Sequence, residues 1–483
     1  MIQIPNEGPE RNKAMGEDDL EDRLHSYAES DFYPFHMPGH KRQSLGMGDP
    51  YRTDITEIYG FDNLNHPKEI LKKLNEDYAR LYQADAAYLM VNGSSGGNLA
   101  AIFSACKNKD GILIQRNSHK SIIHGLMLKE VRTVYQIPKA WQENPEIPGL
   151  LDPEETRRIL KKNPDIRVMI VTSPSYEGVL QPIRELSEIC HEKNVALIVD
   201  GAHGAHLGIS PEFPKNPIQE GADLVVLSLH KMLPVMTQTA MVLYRANPYV
   251  KREDLEDAIR IFQTSSPSYV LMESASRGLH FLEKEGKMRF QKWKKMLDSI
   301  YHKLETDGSG IRLLSPVGRD PSKLVLFSRE PGFRGADLMR TLREEDHLEL
   351  EMALGNYALA MTSCMDTEDG MRRLTDAILR RNRSEIEMRR AFSGEDRKVI
   401  STELPEKALE IREAWDRDWE KVSIWDAEGR IARDEICIYP PGIPLAVPGE
   451  VIGQNCIREL DQAIRDGLEI DGCDEDDRIR VLK

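Results

Sequence analysis

Lys231 ends the segment Ser228-Leu229-His230-Lys231, directly after the apolar run Leu224 to Leu227. A Ser-x-His-Lys at the mouth of a buried strand is typical of the lysine that forms an imine with the aldehyde of pyridoxal phosphate (PLP). Such a lysine must first lose its proton, and a partly desolvated site near other cations favours the neutral amine. The alternative is an ordinary loop lysine beside a capping serine, and the motif alone does not decide between the two.

A second candidate is the segment Asn92-Gly93-Ser94-Ser95-Gly96-Gly97-Asn98, between a predicted strand and a helix predicted to begin near Asn98. Glycines let the backbone approach an anion, hydroxyls add hydrogen bonds, and a helix N-terminus favours negative charge, so the segment suits a phosphate. It is neither a Walker loop nor a Gly-x-Gly-x-x-Gly motif. By itself, it could equally be a turn.

Asp200 ends the apolar run Leu197-Ile198-Val199. A carboxylate there could pair with the ring nitrogen of PLP and keep the pyridine protonated, which makes the ring an electron sink. It could instead cap the next helix. His203 and His206 follow at three-residue spacing, but no third ligand at a metal-site spacing is apparent and nearby glycines indicate a tight turn. We therefore predict no metal site.

His119 lies in the segment Arg116-Asn117-Ser118-His119-Lys120, after the predicted strand Gly111 to Ile114. Its ring could stack on a flat cofactor, or it could be an ordinary surface histidine. Each candidate follows a predicted strand, where open α/β sheets bind their ligands. The order of phosphate segment, stacking histidine, aspartate and lysine matches the large domain of fold-type I PLP enzymes.

Strand and helix patterns alternate through the central part of the chain. Strands are predicted at 86–91, 111–114, 168–172, 195–199 and 224–227, with helices at 154–162 and 183–193. Several of these runs are apolar on both faces, which indicates parallel strands covered on both sides. The alternation predicts a mostly parallel α/β sheet with right-handed crossovers. One long helix or two follow at 253–305, and then a second α/β region has a strand at 323–327 and a helix at 335–344.

The composition is that of a soluble globular protein with room for several domains: 483 residues, 40% hydrophobic and 30% charged. A formal net charge of −15 argues against nucleic acid or an anionic membrane as the main partner. The six cysteines are scattered without Cys-x-x-Cys spacing, so we expect a reducing cytoplasm and no disulfide framework. The first residues are not typical of a signal peptide, and no apolar run approaches the ~20 residues of a membrane span.

Together, the motifs resemble the Orn/Lys/Arg decarboxylase family in its short bacterial form. The matching segments extend over most of the chain: Met37-Pro38-Gly39-His40-Lys41, 54–57, 92–98, 116–120, Ser173-Pro174-Ser175-Tyr176-Glu177-Gly178, 200–204, 228–231, 237–240, 264–269, Tyr439-Pro440-Pro441-Gly442 and 448–450. The resemblance implies a fold-type I PLP-dependent transferase-like α/β fold, with a large, mostly parallel, seven-stranded sheet domain and a smaller C-terminal α+β domain. The long form's N-terminal wing has no counterpart here, so we expect a homodimer, or a dimer of dimers, and not a ring-shaped decamer.

Four parts of the chain are predicted. They are an N-terminal arm at 1–30, with a short helix around 18–29, a large PLP-binding domain at 31–310, a small α/β domain at 311–395 and a C-terminal decarboxylase-type domain at 396–483. The charge-rich stretch 383–400 is predicted as a linker or a helix. The acidic run Asp471 to Asp477 is predicted as a solvated tail.

The resemblance also implies roles for individual residues. Lys231 would be the Schiff-base lysine, Asp200 would pair with the ring nitrogen, and His119 would stack on the ring. The phosphate would be held by Ser94, Ser95 and Gly96 with Ser228 and His230, and His203 would lie near the phenolic oxygen. Lys231, His230, Asp200 and His119 form the predicted catalytic set. Ser265 and Ser266 are candidates for reaching the cofactor of a partner subunit.

Two positions depart from the family pattern. Met232 follows Lys231 where the family commonly has a small residue. This chain has Met272-Glu273-Ser274 where the family often has Met-Ala-Ser, so Glu273 takes the place of the alanine. Glu273 could meet a substrate cation, or it could lie on a solvated helix face, and we favour the solvated face. In either case, it weakens any transfer of substrate preference from relatives.

The resemblance implies PLP-dependent decarboxylation of a basic L-amino acid in the cytoplasm, giving an amine and carbon dioxide for polyamine synthesis or acid resistance. Arginine is favoured over lysine and ornithine, because short Gram-positive-type relatives often carry that assignment. The alternative is an aminotransferase or a β-eliminating lyase, for which Arg372 or Arg373 could bind the substrate carboxylate. A non-catalytic regulatory relative is disfavoured by the intact Lys231, Asp200 and Ser228-x-His230.

Overall fold

Seven strands form the central sheet of the protein. The structure, a computed structural model, describes residues 20–307, 310–330, 332–383, 404–439, 443–465 and 468–483. Strand β1 (Tyr33–Phe35) lies outside the central sheet, whose order is β2 (Ala86–Met90), β8 (Ala240–Tyr244), β7 (Leu224–Leu227), β6 (Ala196–Asp200), β5 (Ile166–Thr172), β3 (Gly111–Gln115) and β4 (Arg132–Gln136). Only β8 among these seven runs against its neighbours. The predicted mostly parallel, seven-stranded sheet is confirmed.

Both faces of the central sheet are buried, as the apolar runs predicted. On β5, Met169 and Val171 pack into one hydrophobic cluster, whereas Val168 and Ile170 pack into another on the opposite face. All four side chains are fully buried. This alternation follows from the two-residue period of a strand, and it requires helices on both sides of the sheet.

The helices that cover and connect the sheets have the following bounds: Leu20–Glu29, Ile70–Tyr82, Gly93–Ala105, Lys120–Met127, Pro153–Lys162, Ile183–His191, Leu229–Met232, Arg252–Phe262, Tyr269–Phe281, Lys287–Asp307, Gly335–Asp346, Glu368–Arg383, Ile411–Trp415 and Gln454–Arg465. A π-helical segment, Leu282–Gly286, joins the ninth to the tenth, and short 3₁₀ helices lie at Pro50–Arg52, Pro217–Glu220 and Ile424–Asp426. The charged stretch 253–305 therefore holds a separate helix and a longer interrupted one. Among the described residues, no helix is long and apolar enough to cross a membrane.

Smaller sheets build the rest of the chain. An antiparallel sheet has the order β12 (Met352–Leu354), β13 (Tyr357–Met361), β10 (Lys323–Ser328) and β9 (Ile311–Leu313), and β11 (Leu348–Leu350) pairs with β1 in parallel. Towards the C-terminus, β14 (Trp419–Ser423) pairs with β18 (Arg478–Leu482), and β15 (Ile436–Tyr439) lies between β16 (Ile443–Ala446) and β17 (Glu469–Asp471). These C-terminal strands share a small hydrophobic cluster of their own. The predicted domain boundaries stay predictions.

The acidic run at 471–477 is not the solvated tail that the sequence predicted. Asp471 ends β17, a turn follows, and β18 pairs along its whole length with β14. Lys421 neutralises Asp474 at 2.6 Å. Most of the charge-rich stretch 383–400 and Pro440-Pro441-Gly442 lie outside the described residues, as do residues 1–19 of the predicted arm.

The segment around Gly39 packs directly against the short helix that carries Lys231. The Gly39 N–H donates to the carbonyl of His230 at 2.8 Å, and the Ser363 hydroxyl donates to the carbonyl of Gly39 at 2.6 Å. A Cβ atom on Gly39 would lie 2.7 Å from the carbonyl carbon of Met232. Since this neighbour is backbone, it can yield only by moving the helix.

Gly39→Ala is therefore expected to lower the free energy of unfolding by about 1–3 kcal/mol, as overpacking does, and to lower activity by displacing Lys231. Urea unfolding would measure the first effect. Gly48→Ala is the matched control, because a Cβ atom there would meet nothing within 4 Å. Equal unfolding free energies for the two variants would contradict the prediction.

Candidate active site

The candidate residues gather at the carboxyl edge of the central sheet. Asp200 is the last residue of β6, and Ser228 and Lys231 follow β7. Ser94 follows β2, and His119 follows β3 as the N-cap of the helix Lys120–Met127. Because these four strands point the same way, their carboxyl ends meet at one edge, and residues distant in sequence become neighbours.

Lys231 is held against the ring of His203. Its Nζ lies 3.0 Å from Nε2 of His203, and the His203 ring lies beside the ring of Tyr176 with centroids 4.4 Å apart. Burial lowers the pKa of Lys231, while the charges of Asp200 and Glu351 oppose the shift. The lowered pKa favours the neutral amine, which is the nucleophilic form.

Asp200 is buried and hydrogen-bonded on both carboxylate oxygens. The side-chain amide of Asn98 donates to Oδ2 at 3.1 Å, and the N–H of Ala202 donates to Oδ1 at 3.1 Å. Burial raises the pKa of Asp200, and the charge of Lys231 acts against this shift. The amide of Asn98 also donates to the Ser121 hydroxyl at 2.9 Å. A hydrogen-bond network therefore connects Asp200 to the helix Lys120–Met127, which His119 caps.

His119 has a defined hydrogen-bonding arrangement. Its Nδ1 accepts from the N–H of Ser121 at 3.2 Å and lies 2.9 Å from the Ser121 hydroxyl. In the neutral ring, Nε2 therefore carries the hydrogen. Three residues away, the Arg116 guanidinium donates to the buried Glu450 carboxylate at 2.8 Å and to the carbonyl of Pro444 at 2.8 Å. The C-terminal region thereby braces the segment that presents His119.

Burial lowers the pKa of His119 to about 3, and the charge of Lys231 adds to the shift. The unfolded chain binds this proton near pH 6.5 and the folded chain does not, so the free energy of unfolding should fall by about 1.4 kcal/mol per unit as pH drops below 6.5. His119→Asn removes the titration and keeps an acceptor for the Ser121 N–H. The free energy of unfolding, measured with urea between about pH 4 and 7, should rise with pH less steeply in the variant than in the wild type. The difference in slope should correspond to one proton. Identical slopes would contradict this prediction.

Hydroxyl groups meet at the N-terminus of the helix Gly93–Ala105, where the candidate phosphate site lies. The Ser228 hydroxyl donates to the Ser94 hydroxyl at 2.7 Å. The prediction that this helix begins near Asn98 was wrong, because it begins at Gly93 and Ser94, Ser95 and Gly96 form its first turn. The free N–H groups of a first turn and these hydroxyls are the donors that a phosphate needs, so the residues present fit the phosphate of PLP.

The surroundings of His230 favour the neutral form of its ring. Its Nδ1 donates to the carbonyl of Thr239 at 3.0 Å, and burial lowers its pKa to about 4 despite this hydrogen bond. At neutral pH the ring is uncharged. Its predicted help in holding the phosphate would then depend on a neutral ring.

The two histidines of the Asp200-x-x-His203-x-x-His206 segment face different partners. His203 contacts lysines, whereas Nε2 of His206 lies 3.1 Å from Oδ1 of Asp320, and both of those side chains are fully buried. Within the part of the chain that the structure describes, no group of three His, Cys, Asp or Glu side chains is placed to hold a metal ion.

Among the described residues, the remaining candidates make no hydrogen bond to Lys231 or His203. Ser265 and Ser266 are exposed in the loop between the helices Arg252–Phe262 and Tyr269–Phe281, and their reach to a partner subunit stays a prediction. Glu273 accepts a hydrogen bond from Arg277 Nε at 2.8 Å, and this contact lowers its pKa. The carboxylate is already neutralised on a half-buried helix face, which favours the surface interpretation.

Sequence reasoning missed Lys323, the first residue of β10, which is fully buried. Its Nζ lies 3.0 Å from Nδ1 of His203 and 3.4 Å from Sδ of Met232. The signal was available, since a lysine at the head of the apolar run Leu324-Val325-Leu326-Phe327 is unusual for a buried strand. Glu351, whose carboxylate accepts from the Met37 N–H at 2.8 Å and from the Tyr176 hydroxyl, was also missed.

Comparison with known proteins identifies the family. A model described as Orn/Lys/Arg decarboxylase, major domain, matches residues 19–317, and one for the C-terminal domain matches residues 390–465. The chain belongs to the Orn/Lys/Arg decarboxylase family. The resemblance read from the motifs is thereby confirmed, together with the enzyme class of PLP-dependent amino-acid decarboxylase.

Relatives of this family member align over nearly the whole chain. An arginine decarboxylase of Bacillus subtilis (strain 168) is 28% identical over 472 residues, covering 93% of this chain and 94% of that protein. The structure of the Francisella novicida lysine decarboxylase LdcF has a TM-score of 0.75 at 19% identity and covers 96% of this chain and 81% of its own. L-threonine transaldolase from Pseudomonas fluorescens, solved in its internal aldimine state, has a TM-score of 0.56 at 16% identity over 75% of this chain and 80% of its own. The fold is that of fold-type I PLP enzymes.

Proposed function

We propose that the protein uses PLP to decarboxylate a basic L-amino acid, with L-arginine as the preferred substrate. The observation that carries the proposal is that the half-buried Lys231 amine and the buried Asp200 carboxylate both lie at the carboxyl edge of the sheet, in a member of a family of basic amino-acid decarboxylases. The choice of arginine is supported by the 28% identical relative from Bacillus subtilis.

The residues at the edge of the sheet fit each part of the cofactor. Ser94, Ser95 and Ser228 would hold the phosphate, His119 would stack on the ring, and Lys231 would bond covalently to the aldehyde carbon. When bound, PLP accepts the electron pair that remains as the substrate carboxylate leaves. The negative charge of Asp200 would hold a proton on the ring nitrogen. Two hydrogen bonds to the Asp200 carboxylate fix the orientation of this side chain.

Proton transfer falls to the amine of Lys231. With substrate bound, Nζ would carry a proton and deliver it to the Cα from which carbon dioxide departs. The neutral His230 is a poor donor for this step, since burial lowers its pKa to about 4. His203 lies 3.0 Å from Nζ and would orient it.

Aminotransfer is less well supported by the surroundings of the two arginines proposed for it. Arg372 is exposed and pairs with Asp369 at 2.6 Å and with Asp376 at 3.2 Å. Arg373 donates to the carbonyls of Asp346 and His347. Both guanidinium groups already form ion pairs or hydrogen bonds with neighbouring residues, so neither has a clear role in binding a substrate carboxylate.

The wider setting is proposed from the resemblance. The enzyme would act in the cytoplasm as a homodimer or a dimer of dimers, with the exposed Ser265 and Ser266 of one chain facing the cofactor of the next. The amine would feed polyamine synthesis, or the proton consumed would counter acid stress.

The test supplies PLP-loaded protein separately with L-arginine, L-lysine and L-ornithine and measures released carbon dioxide and the amine product, with L-glutamate as a substrate of opposite charge. Release from arginine at the highest kcat/KM is expected. Release only from lysine or ornithine would overturn the arginine assignment, and no release from all three would overturn the function.

A further inference from the structure

Two lysines contact opposite nitrogens of one buried histidine. Nζ of Lys231 lies 3.0 Å from Nε2 of His203, and Nζ of Lys323 lies 3.0 Å from Nδ1 of the same ring. Lys323 comes from β10 of the smaller antiparallel sheet, whereas Lys231 follows β7 of the central sheet. A single imidazole therefore joins the two sheets at the reactive amine.

The donors and acceptors of this triad restrict its protonation. An ammonium group can only donate, and a neutral imidazole has one N–H and one lone pair. If Lys323 is the ammonium, it donates to Nδ1, so Nε2–H faces Lys231, which must be a neutral amine to accept. If Lys231 is the ammonium, the pattern reverses. At most one of the two amines is charged while both hydrogen bonds persist.

The charged surroundings support one shared proton. Burial and the charges of Lys231 and Lys323 lower the pKa of His203 far below its usual range, and His119 and His230 add to the shift. Burial lowers the pKa of Lys323 to about 7, opposed by Asp320 and Glu351 and reinforced by Lys231 and Lys41. For Lys231, Asp200 and Glu351 oppose the effect of burial. Negative charge thus lies beside both amines, and the ring between them stays neutral.

We propose that Lys323 is a positioning residue that acts through His203, keeping Lys231 unprotonated while it is a nucleophile and returning a proton to it afterwards. The inference rests on the proposed role of Lys231 as the cofactor lysine. In the return step, Nζ of Lys323 gives a proton to Nδ1 of His203, and Nε2 of His203 gives its proton to Nζ of Lys231. Lys323 ends as an amine, Lys231 as an ammonium and the ring as its other tautomer, with no change in net charge.

The first experiment measures the protonation of Lys231 directly, in the full chain freed of cofactor. Trace acetylation with acetic anhydride across a pH series, followed by peptide mass spectrometry, gives the pH midpoint at which Lys231 becomes reactive. In Lys323→Met the midpoint should rise by about one pH unit, because a neighbouring cation is lost. Lys323→Arg should not raise the midpoint, since arginine keeps the positive charge throughout the pH series. Lys303→Met, at an exposed helix position, is the control without a shift.

An unchanged Lys231 midpoint in Lys323→Met would overturn the proposal. Folding is checked by thermal unfolding, and methionine should be tolerated because it removes a buried cation and adds no polar group. The acetylation result needs no decarboxylase activity. If the proposed function were wrong, no variant would release carbon dioxide, but the acetylation midpoint of Lys231 would still show whether Lys323 affects its protonation.

The second experiment separates charge from proton transfer. Arginine does not give up a proton, so Lys323→Arg should lower kcat by at least about tenfold with KM within about twofold, without any rise in the Lys231 midpoint. His203→Gln adds no charge; it can donate and accept but cannot pass a proton, so it should reproduce the loss in kcat. Wild-type kcat in both variants would overturn the relay.

Discussion

Lys231→Ala is expected to lower kcat for carbon dioxide release by at least about a thousandfold, through the combined loss of covalent and acid–base catalysis. Alanine supplies neither an amine for the cofactor aldehyde nor a proton for the substrate Cα. The variant should also lose the visible absorbance of lysine-bound cofactor, which is measured without any substrate.

Stability separates this loss from misfolding. Lys231 is half-buried, and desolvation lowers the pKa of its amine, so its removal should leave the free energy of unfolding equal or higher. Lys303→Ala, at an exposed helix position, is the control for the loss of a lysine as such. A Lys231→Ala variant that kept more than about a tenth of the wild-type kcat would be incompatible with the roles argued from its amine.

Asp200→Asn should lower kcat by about a hundredfold to a thousandfold, the cost of removing a preorganised charge from an active site. The substitution keeps the size of the side chain but removes the negative charge that would hold a proton on the ring nitrogen. Since both carboxylate oxygens accept hydrogen bonds, asparagine loses one of them, and a stability loss of about 1 kcal/mol is expected as well.

Asp223→Asn is the matched control for this effect. Asp223 is equally buried, and its carboxylate accepts from the N–H of Leu197 at 2.7 Å and lies 3.0 Å from Nε2 of His191. It immediately precedes β7, at the opposite edge of the sheet from Asp200. Asp223→Asn removes a buried negative charge of the same kind away from the candidate site, so it should keep its kcat. Equal kcat values for the two variants would argue that Asp200 acts only through stability.

The prediction of strands was accurate where the pattern was strongest. The run Leu224 to Leu227 forms β7 with these bounds, and the other predicted strands of the central sheet differ from the structure by one or two residues at an end. The helix Gly93–Ala105 was predicted to begin too late, near Asn98, because glycine and serine have low helix propensity. Its packing overrides that preference, since a Cβ atom on Gly97 would lie 2.7 Å from the Val226 side chain.

By itself, the sequence determined five of the seven strands of the central sheet and one side of the candidate site. Polar residues that follow apolar runs must meet at the carboxyl edge of a parallel sheet, so Asp200, Lys231 and Ser94 could be grouped from local patterns alone. Only the tertiary structure decided what surrounds the reactive amine. Lys323 lies 120 residues from His203 along the chain, and no local periodicity relates them. A buried lysine is tolerated only where folding brings it partners, and those partners come from a different sheet.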